Sequence, residues 1–322
     1  MVFPLLSLGI VLLLLGGISL VRGASGLAEI YGISPLIVGL TVVSFGTSAP
    51  ELMVNVSGAI QGETALAFGN ITGSNLANIG LVLGLAALIS PVAIEGQLIR
   101  RELPLLMLAT TILLVMTLDP LLRGSHSSLD RSEGLVMLLL FGIFLYITTY
   151  DLLRQREDPL VKEVDALPMQ PRNGKRVQLA LIVMGAIGLA IGADLTITHG
   201  SALAGSYNVS PVIIGMFVVA IGTSLPELIT SVIAAINKKA DLCVGNVIGS
   251  NLFNTMFVLP ISAMIRPIDV PSGGAIDIAV GLFLAACLIP IFVFGQTIMK
   301  RFMGAAFLTV YAAYMVGRLM VG

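Results

Sequence analysis

The chain has 322 residues, of which 57% are hydrophobic and only 11% are charged. Soluble domains carry about 25% charged residues, so this composition excludes an ordinary soluble protein and predicts a polytopic membrane protein. The formal net charge of −1 indicates no particular partner, and we expect the lipid bilayer as surroundings with no nucleic-acid partner.

Ten apolar segments are long enough to cross the hydrocarbon core as helices. They cover 2–21, 34–61, 64–90, 102–119, 132–150, 178–198, 210–237, 240–265, 274–294 and 301–319. The first lacks the basic start of a signal peptide, so we expect it to be a membrane helix. The second, third, seventh and eighth are too long for simple rods and contain Gly, Pro and polar residues near their middles, which predicts broken helices.

The basic residues predict the orientation of the chain. With the N-terminus outside, 13 of the Lys and Arg residues fall on one side of the membrane and 4 on the other, which is a strong positive-inside pattern. We therefore expect a multi-pass protein of the cell membrane with both termini outside. A cytoplasmic hinge loop at 151–177 would separate a five-helix repeat at 1–150 from a second at 178–322.

One sequence motif occurs twice. The segment Gly46-Thr47-Ser48-Ala49-Pro50-Glu51 returns 176 residues later as Gly222-Thr223-Ser224-Leu225-Pro226-Glu227, and 42–78 matches 218–254 at 19 of 37 positions. Five spans separate the copies, and because five is odd the second repeat must cross the membrane upside down. The predicted fold is all-α, with ten transmembrane helices in two inverted-topology repeats of five.

Each copy places a glutamate, Glu51 or Glu227, inside an apolar span, where acids are costly and usually functional. The following argument holds for both copies. Pro50 has no N–H, so the carbonyl of Gly46 loses its helical partner. Thr47 and Ser48 precede Glu51 by four and three residues, so their hydroxyls are predicted to share a helix face with its carboxylate. Thr223 and Ser224 repeat this spacing before Glu227.

A second motif supplies amide and hydroxyl groups. Asn70, Ser74 and Asn78 recur at every fourth residue, which predicts one polar stripe on an apolar helix. The second repeat has the same stripe in Asn246, Ser250 and Asn254. The Gly69/Gly73 and Gly245/Gly249 spacings allow helices to approach closely in lipid. The Asn and Ser side chains would then reach an ion held between the helices. We expect Asn75 and Asn251 to cap or bond the backbone of broken helices.

Oxygen ligands without His or Cys favour hard cations, above all Ca²⁺ with its 6–8 oxygen ligands. Two ionised glutamates offset one Ca²⁺ or two Na⁺. These hydroxyl, carbonyl, amide and carboxylate groups form one cage of oxygen ligands. The cage holds either one Ca²⁺ or two Na⁺ but hardly both at once, and this mutual exclusion is a physical basis for exchange.

The paired motifs resemble the alpha repeats of the sodium/calcium exchangers in the cation/Ca²⁺ exchanger superfamily. The resemblance implies an antiporter that exchanges Ca²⁺ for Na⁺ by alternating access, with helices one and six rocking past the site. It also implies that Glu51 and Glu227 are the central ligands of both ions. The implied assisting groups are Thr47, Ser48, Ser74, Asn78, Thr223, Ser224 and Ser250, with Asn254 as a further candidate and the backbone carbonyls of Ser44 and Ala220 as Na⁺ ligands.

Some members of the superfamily carry aspartate where this chain has Asn254. The cage then holds two acids rather than three, which leaves the number of Na⁺ per Ca²⁺ open. A proton- or K⁺-coupled Ca²⁺ exchanger on the same fold is the alternative. A cation channel fits an inverted repeat in one chain poorly, and an intramembrane hydrolase would lack a histidine at membrane depth. We expect no enzymatic activity, no cofactor beyond the transported ions, and function as a monomer.

Overall fold

The computed structural model describes residues 2–93, 98–119, 124, 127–155, 174–206, 220–294 and 298–321. These residues form helix in all ten predicted spans. The first repeat contains α1 (Val2–Tyr31), α2 (Pro35–Thr47), α3 (Ala49–Gln61), α4 (Thr64–Ile89), α5 (Leu103–Met116, preceded by a π turn at Leu98–Glu102) and α6 (Arg131–Gln155). The second contains α7 (Lys175–Ser206), α8 (Ala220–Thr223), α9 (Leu225–Ile236), α10 (Ala240–Ile265), α11 (Gly274–Phe294) and α12 (Arg301–Val321).

Membrane-spanning length is shown for part of this set. Within the described residues, α1, α4, α6, α7 and α10 are long and apolar enough to cross a membrane, and the bent pair α2–α3 makes a sixth such span. The helical membrane fold is confirmed. The count of ten spans stays a prediction.

Several of the predicted helical segments were too short. Helix α1 continues past residue 21 to Tyr31, because Ala24 and Ala28 in its last turns are buried. Helices α6 and α7 extend into both ends of the segment 151–177 that was predicted as loop. Residues 156–173 of that loop, and 207–219 of the seventh predicted span, lie outside the described residues.

Two helix breaks lie just before prolines, Pro50 and Pro226. Helix α2 ends at Thr47 and α3 begins at Ala49, with a bend of 47°, and α8 and α9 are separated in the same way at Ser224. The predicted breaks in the third and eighth spans were wrong, because α4 and α10 are continuous. They widen into π turns at Asn78–Leu83 and Asn254–Val258. Helix α10 stays continuous even though Pro260 follows its π turn, so a proline alone does not break a helix of this protein.

Four two-residue strands join the two repeats. Strand β1 (Val92–Ala93) pairs antiparallel with β4 (Ile298–Met299), and β2 (Ser128–Leu129) pairs with β3 (Ile268–Asp269). Each pair takes one strand from each repeat. The α4–α5 and α11–α12 connections therefore lie at one end of the molecule. The α5–α6 and α10–α11 connections likewise lie together. Strands this short give no pattern that sequence analysis could detect.

A glycine seam joins α1 and α7. A Cβ atom added at Gly9 would lie 3.0 Å from the carbonyl oxygen of Gly192, and one added at Gly185 would lie 2.8 Å from that of Gly16. Early residues of α1 thus meet late residues of α7, so the two helices run antiparallel. Gly9 and Gly185 are equivalent in the repeat, as are Gly16 and Gly192, so the seam follows the internal symmetry.

Helix α10 packs closely against α2. A Cβ atom at Gly245 or Gly249 would lie 2.6 Å from the carbonyl oxygens of Leu36 and Leu40, so only glycine permits this approach. The predicted close packing at these glycines is confirmed for the second repeat. For Gly69 and Gly73, no neighbouring part of the described chain beyond their own helix turn lies within 4 Å of an added Cβ.

Candidate cation site

The two motif glutamates lie together in the interior. Glu51 is in the first turn of α3 and Glu227 in the first turn of α9, and both are 0% exposed. The Oε1 atom of Glu227 accepts hydrogen bonds from Ser48 Oγ at 2.8 Å and Ser250 Oγ at 3.3 Å. Ser48 is at the break just before Glu51, so its bond to Glu227 brings both acids to one place. Each carboxylate also lies near the positive end of a helix dipole.

The second oxygen of each glutamate is buried without a hydrogen-bond partner. Oε1 of Glu51 accepts a bond from Ser74 Oγ at 3.5 Å, but Oε2 of Glu51 and Oε2 of Glu227 have no partner within the described chain. Glu29, Glu102 and Asp277 are examples of acids that form ion pairs in the described chain, whereas neither motif glutamate forms one. The structure therefore does not support the reading in which a basic side chain neutralises these acids.

Four asparagines link the polar stripes of the two repeats. Asn78 Nδ2 donates to Asn251 Oδ1 at 3.0 Å, and Asn254 Nδ2 donates to Asn75 Oδ1 at 3.2 Å. These two bonds are equivalent under the repeat. They use the amide nitrogens of Asn78 and Asn254 and leave both Oδ1 atoms buried and unbonded. The pair thus presents two amide oxygens, which suit a cation better than an anion.

The expectation for Asn75 and Asn251 was only partly right. Asn251 Nδ2 bonds a backbone carbonyl, that of Asn75, at 3.1 Å, and Asn75 Nδ2 donates to Thr255 Oγ1 at 2.8 Å. Both residues lie in continuous helices, so they cap no helix break. They hold the amide groups of Asn78 and Asn254 in a fixed orientation.

The motif threonines bond to asparagines of the other repeat. Thr47 Oγ1 donates to Asn246 Oδ1 at 3.1 Å, and Thr223 Oγ1 donates to Asn70 Oδ1 at 3.3 Å. Thr47 Oγ1 also lies 3.4 Å from Ser250 Oγ. The prediction that Thr47 and Ser48 share a helix face with Glu51 was wrong, because the helix breaks at Ser48. Both hydroxyls reach the second repeat instead.

Ser48 and Ser224 occupy equivalent positions but differ in bonding. Ser48 donates to Glu227, whereas Ser224 Oγ is buried and has no partner in the described part of the chain. Glu227 therefore receives two serine hydroxyls and Glu51 receives one. The bonding of the two glutamates therefore departs from internal symmetry at this pair of serines.

The two predicted backbone ligands are less well defined. The carbonyl of Ser44 already accepts bonds from Ser48 N at 2.9 Å and Thr47 Oγ1 at 3.3 Å. Ala220 begins α8, next to residues outside the described chain. Of the twelve predicted site residues, the structure connects all but Ala220 through this network or buries them beside it.

Sequence analysis missed two residues, Asn55 and Ser231, that hold the amide groups of Asn70 and Asn246 in place. Asn70 Nδ2 donates to Asn55 Oδ1 at 2.7 Å, and Asn246 Nδ2 donates to Ser231 Oγ at 2.9 Å. Asn55 and Ser231 are equivalent in the repeat, four residues after each glutamate. These bonds engage the amide nitrogens, so the amide oxygens face the threonines. The sequence signal that could have identified them is that this position of the repeat is polar in both copies, with Asn in the first and Ser in the second.

Comparisons with known proteins point to one family. Residues 1–150 and 177–320 match the family model described as sodium/calcium exchanger protein. The putative antiporter CaxA of Alkalimonas amylolytica is 38% identical over 83% of this chain and 82% of its own length. The sodium/calcium exchanger MaX1 of Methanosarcina acetivorans is 28% identical over 98% and 97% of the two chains.

A solved structure has the same fold. The sodium-calcium exchanger NCX_Mj superposes with a TM-score of 0.82 at 27% identity, covering 98% of this chain and 97% of that one. The family consists of multi-pass membrane transporters rather than enzymes. With the family model covering nearly all of the described chain, this protein belongs to the sodium/calcium exchanger family.

Proposed function

We propose that this protein exchanges Ca²⁺ for Na⁺ across the cell membrane by alternating access, with the cation held between Glu51 and Glu227. The observation that carries the proposal is a set of buried oxygens with no hydrogen-bond donor in the described chain. They are Oε2 of Glu51, Oε2 of Glu227, Oδ1 of Asn78, Oδ1 of Asn254 and Oγ of Ser224. Each such atom costs about 1–3 kcal/mol if left unsatisfied, and a buried unpaired carboxylate costs more. Oxygens of these kinds are the ligands that a hard cation takes, so cations bound in this cluster would supply the missing partners.

Charge balance supports exchange at this site. Two buried carboxylates offset one Ca²⁺ or two Na⁺, and neither load leaves room for the other. Ser48, Ser74 and Ser250 contribute hydroxyls that already lie against the carboxylates. Thr47 and Thr223 also orient the amides of Asn246 and Asn70. Without a bound cation, the two carboxylates leave the site with two negative charges, so the empty site should not move past the hydrophobic barrier between the two access states.

The fold supplies a moving part for alternating access. Helices α1 and α7 are joined to each other along the glycine seam, so they are suited to move as one unit past the site. Because the repeats are inverted, the outward-open and inward-open states would have similar helix arrangements. We place both termini outside and loop 151–177 in the cytoplasm, between repeats at 1–150 and 178–322, and propose that the monomer is functional.

The test of function is ⁴⁵Ca²⁺ uptake into proteoliposomes with one imposed gradient at a time. We expect an outward Na⁺ gradient to drive uptake, while outward K⁺ and H⁺ gradients of equal size do not. Ionophores should hold the membrane potential at zero in all arms. Uptake driven by H⁺ or K⁺ in place of Na⁺ would identify the alternative coupling ion on the same site.

The carboxylates are tested by Glu51→Gln and Glu227→Gln. Each change removes half of the compensating charge, so each should abolish Na⁺-driven Ca²⁺ uptake. Glu63→Gln is the matched control, because Glu63 is an exposed glutamate between α3 and α4, outside the cluster. Retention of uptake by either site variant would exclude Glu51 and Glu227 as the paired ligands.

A further inference from the structure

A small polar cavity lies between α4, α5, α10 and α11, beside the asparagines of the candidate cation site. It has a volume of about 20 Å³, and its lining includes Asn75 of α4, Asn251 and Thr255 of α10, and Asp277 of α11. A cavity of this volume holds one water molecule, provided that the water finds several polar partners. Neither motif glutamate lines the cavity, and the proposed transport cycle gives it no role.

Thr255 joins this cavity to the cation site. Its Oγ1 atom accepts a hydrogen bond from Asn75 Nδ2 at 2.8 Å, and Asn75 Oδ1 accepts one from Asn254 Nδ2 at 3.2 Å. Asn254 Oδ1 is then one of the buried oxygens left for the cation. Thr255 and Asn254 are both 0% exposed. A chain of hydrogen bonds therefore runs from the cavity to a proposed cation ligand.

The direction of this chain decides which atom of the Asn254 amide faces the cation. If the Asn75 amide turned over, its nitrogen would donate to Asn254 Oδ1, and Asn254 would present N–H groups in place of an oxygen. Thr255 alone does not prevent this turn, because a hydroxyl can accept or donate. Asn78 needs no such control, since its partner Asn251 is fixed by the backbone carbonyl of Asn75, which can only accept.

The hydroxyl proton of Thr255 needs an acceptor, and the cavity contains one. Thr72 donates to the carbonyl four residues earlier in its own helix, but within the described chain Thr255 makes no such bond. Asp277 lines the same cavity, and a carboxylate can only accept. Tyr314 and Arg318 of α12 bond to this carboxylate and hold it in place. A water that accepts from Thr255 and donates to Asp277 gives the chain a single direction.

We propose that Thr255, through one water in this cavity, connects Asn254 to Asp277 and so keeps the amide oxygen of Asn254 directed at the cation. Thr255 and Asp277 are then positioning residues for the proposed Ca²⁺ site, and the inference rests on that site. The first repeat has Ile79 where the second has Thr255, and Arg101 where the second has Asp277. The two halves of the site therefore orient their amides by different means, a backbone carbonyl for one and an acidic side chain for the other.

The first experiment measures equilibrium binding of ⁴⁵Ca²⁺ to the purified protein in Na⁺-free buffer, so the result does not depend on the coupling ion. Thr255→Val keeps the shape of the side chain and removes its hydroxyl. We expect about tenfold weaker binding, because groups that orient a metal ligand have effects of that order. Thr255→Ser keeps the hydroxyl and should bind Ca²⁺ as the unaltered protein does.

Thr72→Val is the matched control for this substitution. Thr72 lines the same cavity but donates within its own helix, so its loss should leave the affinity for Ca²⁺ unchanged. Equal affinity of Thr255→Val and the unaltered protein, or an equal loss in the control, would overturn the proposal.

The second experiment separates positioning from a general loss of structure. Asn254→Ala removes the amide, while Glu51 and Glu227 keep Ca²⁺ binding measurable. If Thr255 acts through that amide, Thr255→Val should weaken binding no further when Asn254→Ala is already present. Equal losses in the two backgrounds would mean that Thr255 only supports the fold.

The third experiment tests the far end of the chain. Asp277→Asn replaces a group that can only accept with one that can also donate. We expect weaker Ca²⁺ binding from this change alone and no further change when it is added to Thr255→Val. A loss that persists alongside Thr255→Val would remove Asp277 from the chain. If the unaltered protein bound no Ca²⁺, the proposed cation site itself, on which the inference rests, would be refuted.

Discussion

The unequal bonding of Ser48 and Ser224 predicts unequal effects of removing their hydroxyls. Ser48→Ala removes a hydrogen bond to a buried carboxylate, and such bonds contribute about 1.5–3 kcal/mol. We expect the apparent affinity for Ca²⁺ to fall about tenfold or more. Ser224→Ala is the comparison variant, because its hydroxyl bonds no carboxylate and contributes only a contact to the cation, so a smaller loss than for Ser48→Ala is expected. Equal losses in Na⁺-driven ⁴⁵Ca²⁺ uptake would show that the asymmetry has no energetic weight.

Asn254 is the position at which a third acid would enter the cage. Asn254→Asp adds a negative charge and replaces the amide that donates to Asn75 Oδ1. The extra carboxylate needs a further cation or proton for compensation, so the Na⁺ cooperativity of Ca²⁺ uptake should rise or uptake should become sensitive to acidic pH. The readouts are the Hill coefficient for Na⁺ and the pH profile. If both match those of the unaltered protein, position 254 does not set the coupling.

Most of the residues at this site could be predicted from the sequence, but their hydrogen-bond partners could not. The repeat identified Glu51, Glu227 and the two polar stripes, because a motif duplicated inside apolar spans has few explanations other than a shared site. Which hydroxyl bonds which carboxylate depends on the break at Ser48, which turns its side chain toward the other repeat. The role of Asn55 also depends on contacts between helices, and sequence spacing along one helix does not reveal such contacts.

At the scale of whole helices, the glycine seam predicts which glycines tolerate a methyl group. A Cβ at Gly185 would lie 2.7 Å from Leu20 N, so Gly185→Ala must separate the backbones of α1 and α7. Overpacking of this kind costs about 1–3 kcal/mol. Gly188→Ala on the same helix is the control, because its nearest neighbour, Gly16 Cα, would lie at an ordinary 3.4 Å.

We expect Gly185→Ala to lower the thermal stability of the detergent-purified protein and its transport rate, while Gly188→Ala changes neither. Fluorescence-detected size exclusion after heating measures the first quantity and ⁴⁵Ca²⁺ uptake the second. Similar behaviour of the two variants would mean that the seam is not tight at Gly185.

Helix type and approximate position followed from hydropathy, whereas helix shape did not. Pro50 and Pro226 marked the two real breaks, but Pro260 and Pro290 lie inside the continuous helices α10 and α11, so a proline's missing N–H does not by itself predict a break. Glycine, serine and asparagine in α4 and α10 suggested breaks as well, yet they produced π turns. Their effect depends on neighbouring helices, so composition alone could not separate a widened helix from a broken one.

The distribution of basic residues makes a prediction about the whole molecule. With 13 Lys and Arg on one side and 4 on the other, both termini should be outside the cell membrane. A phosphatase that is active only outside should therefore work when fused to the C-terminus and fail when inserted at residue 165. A fluorescent protein that folds only in the cytoplasm should give the opposite pattern. The reverse result would invert the assigned topology.

The cross-repeat bonds have a consequence for the order in which the protein can be completed. Both strand pairs, both asparagine bonds and the Ser48–Glu227 bond need one partner from each half of the chain. When the ribosome has finished the first five spans, their serines, asparagines and glutamate therefore still lack the groups that will satisfy them. The nascent first half must persist in the bilayer as an incomplete structure, exposed to quality-control proteases until synthesis of its inverted counterpart is finished.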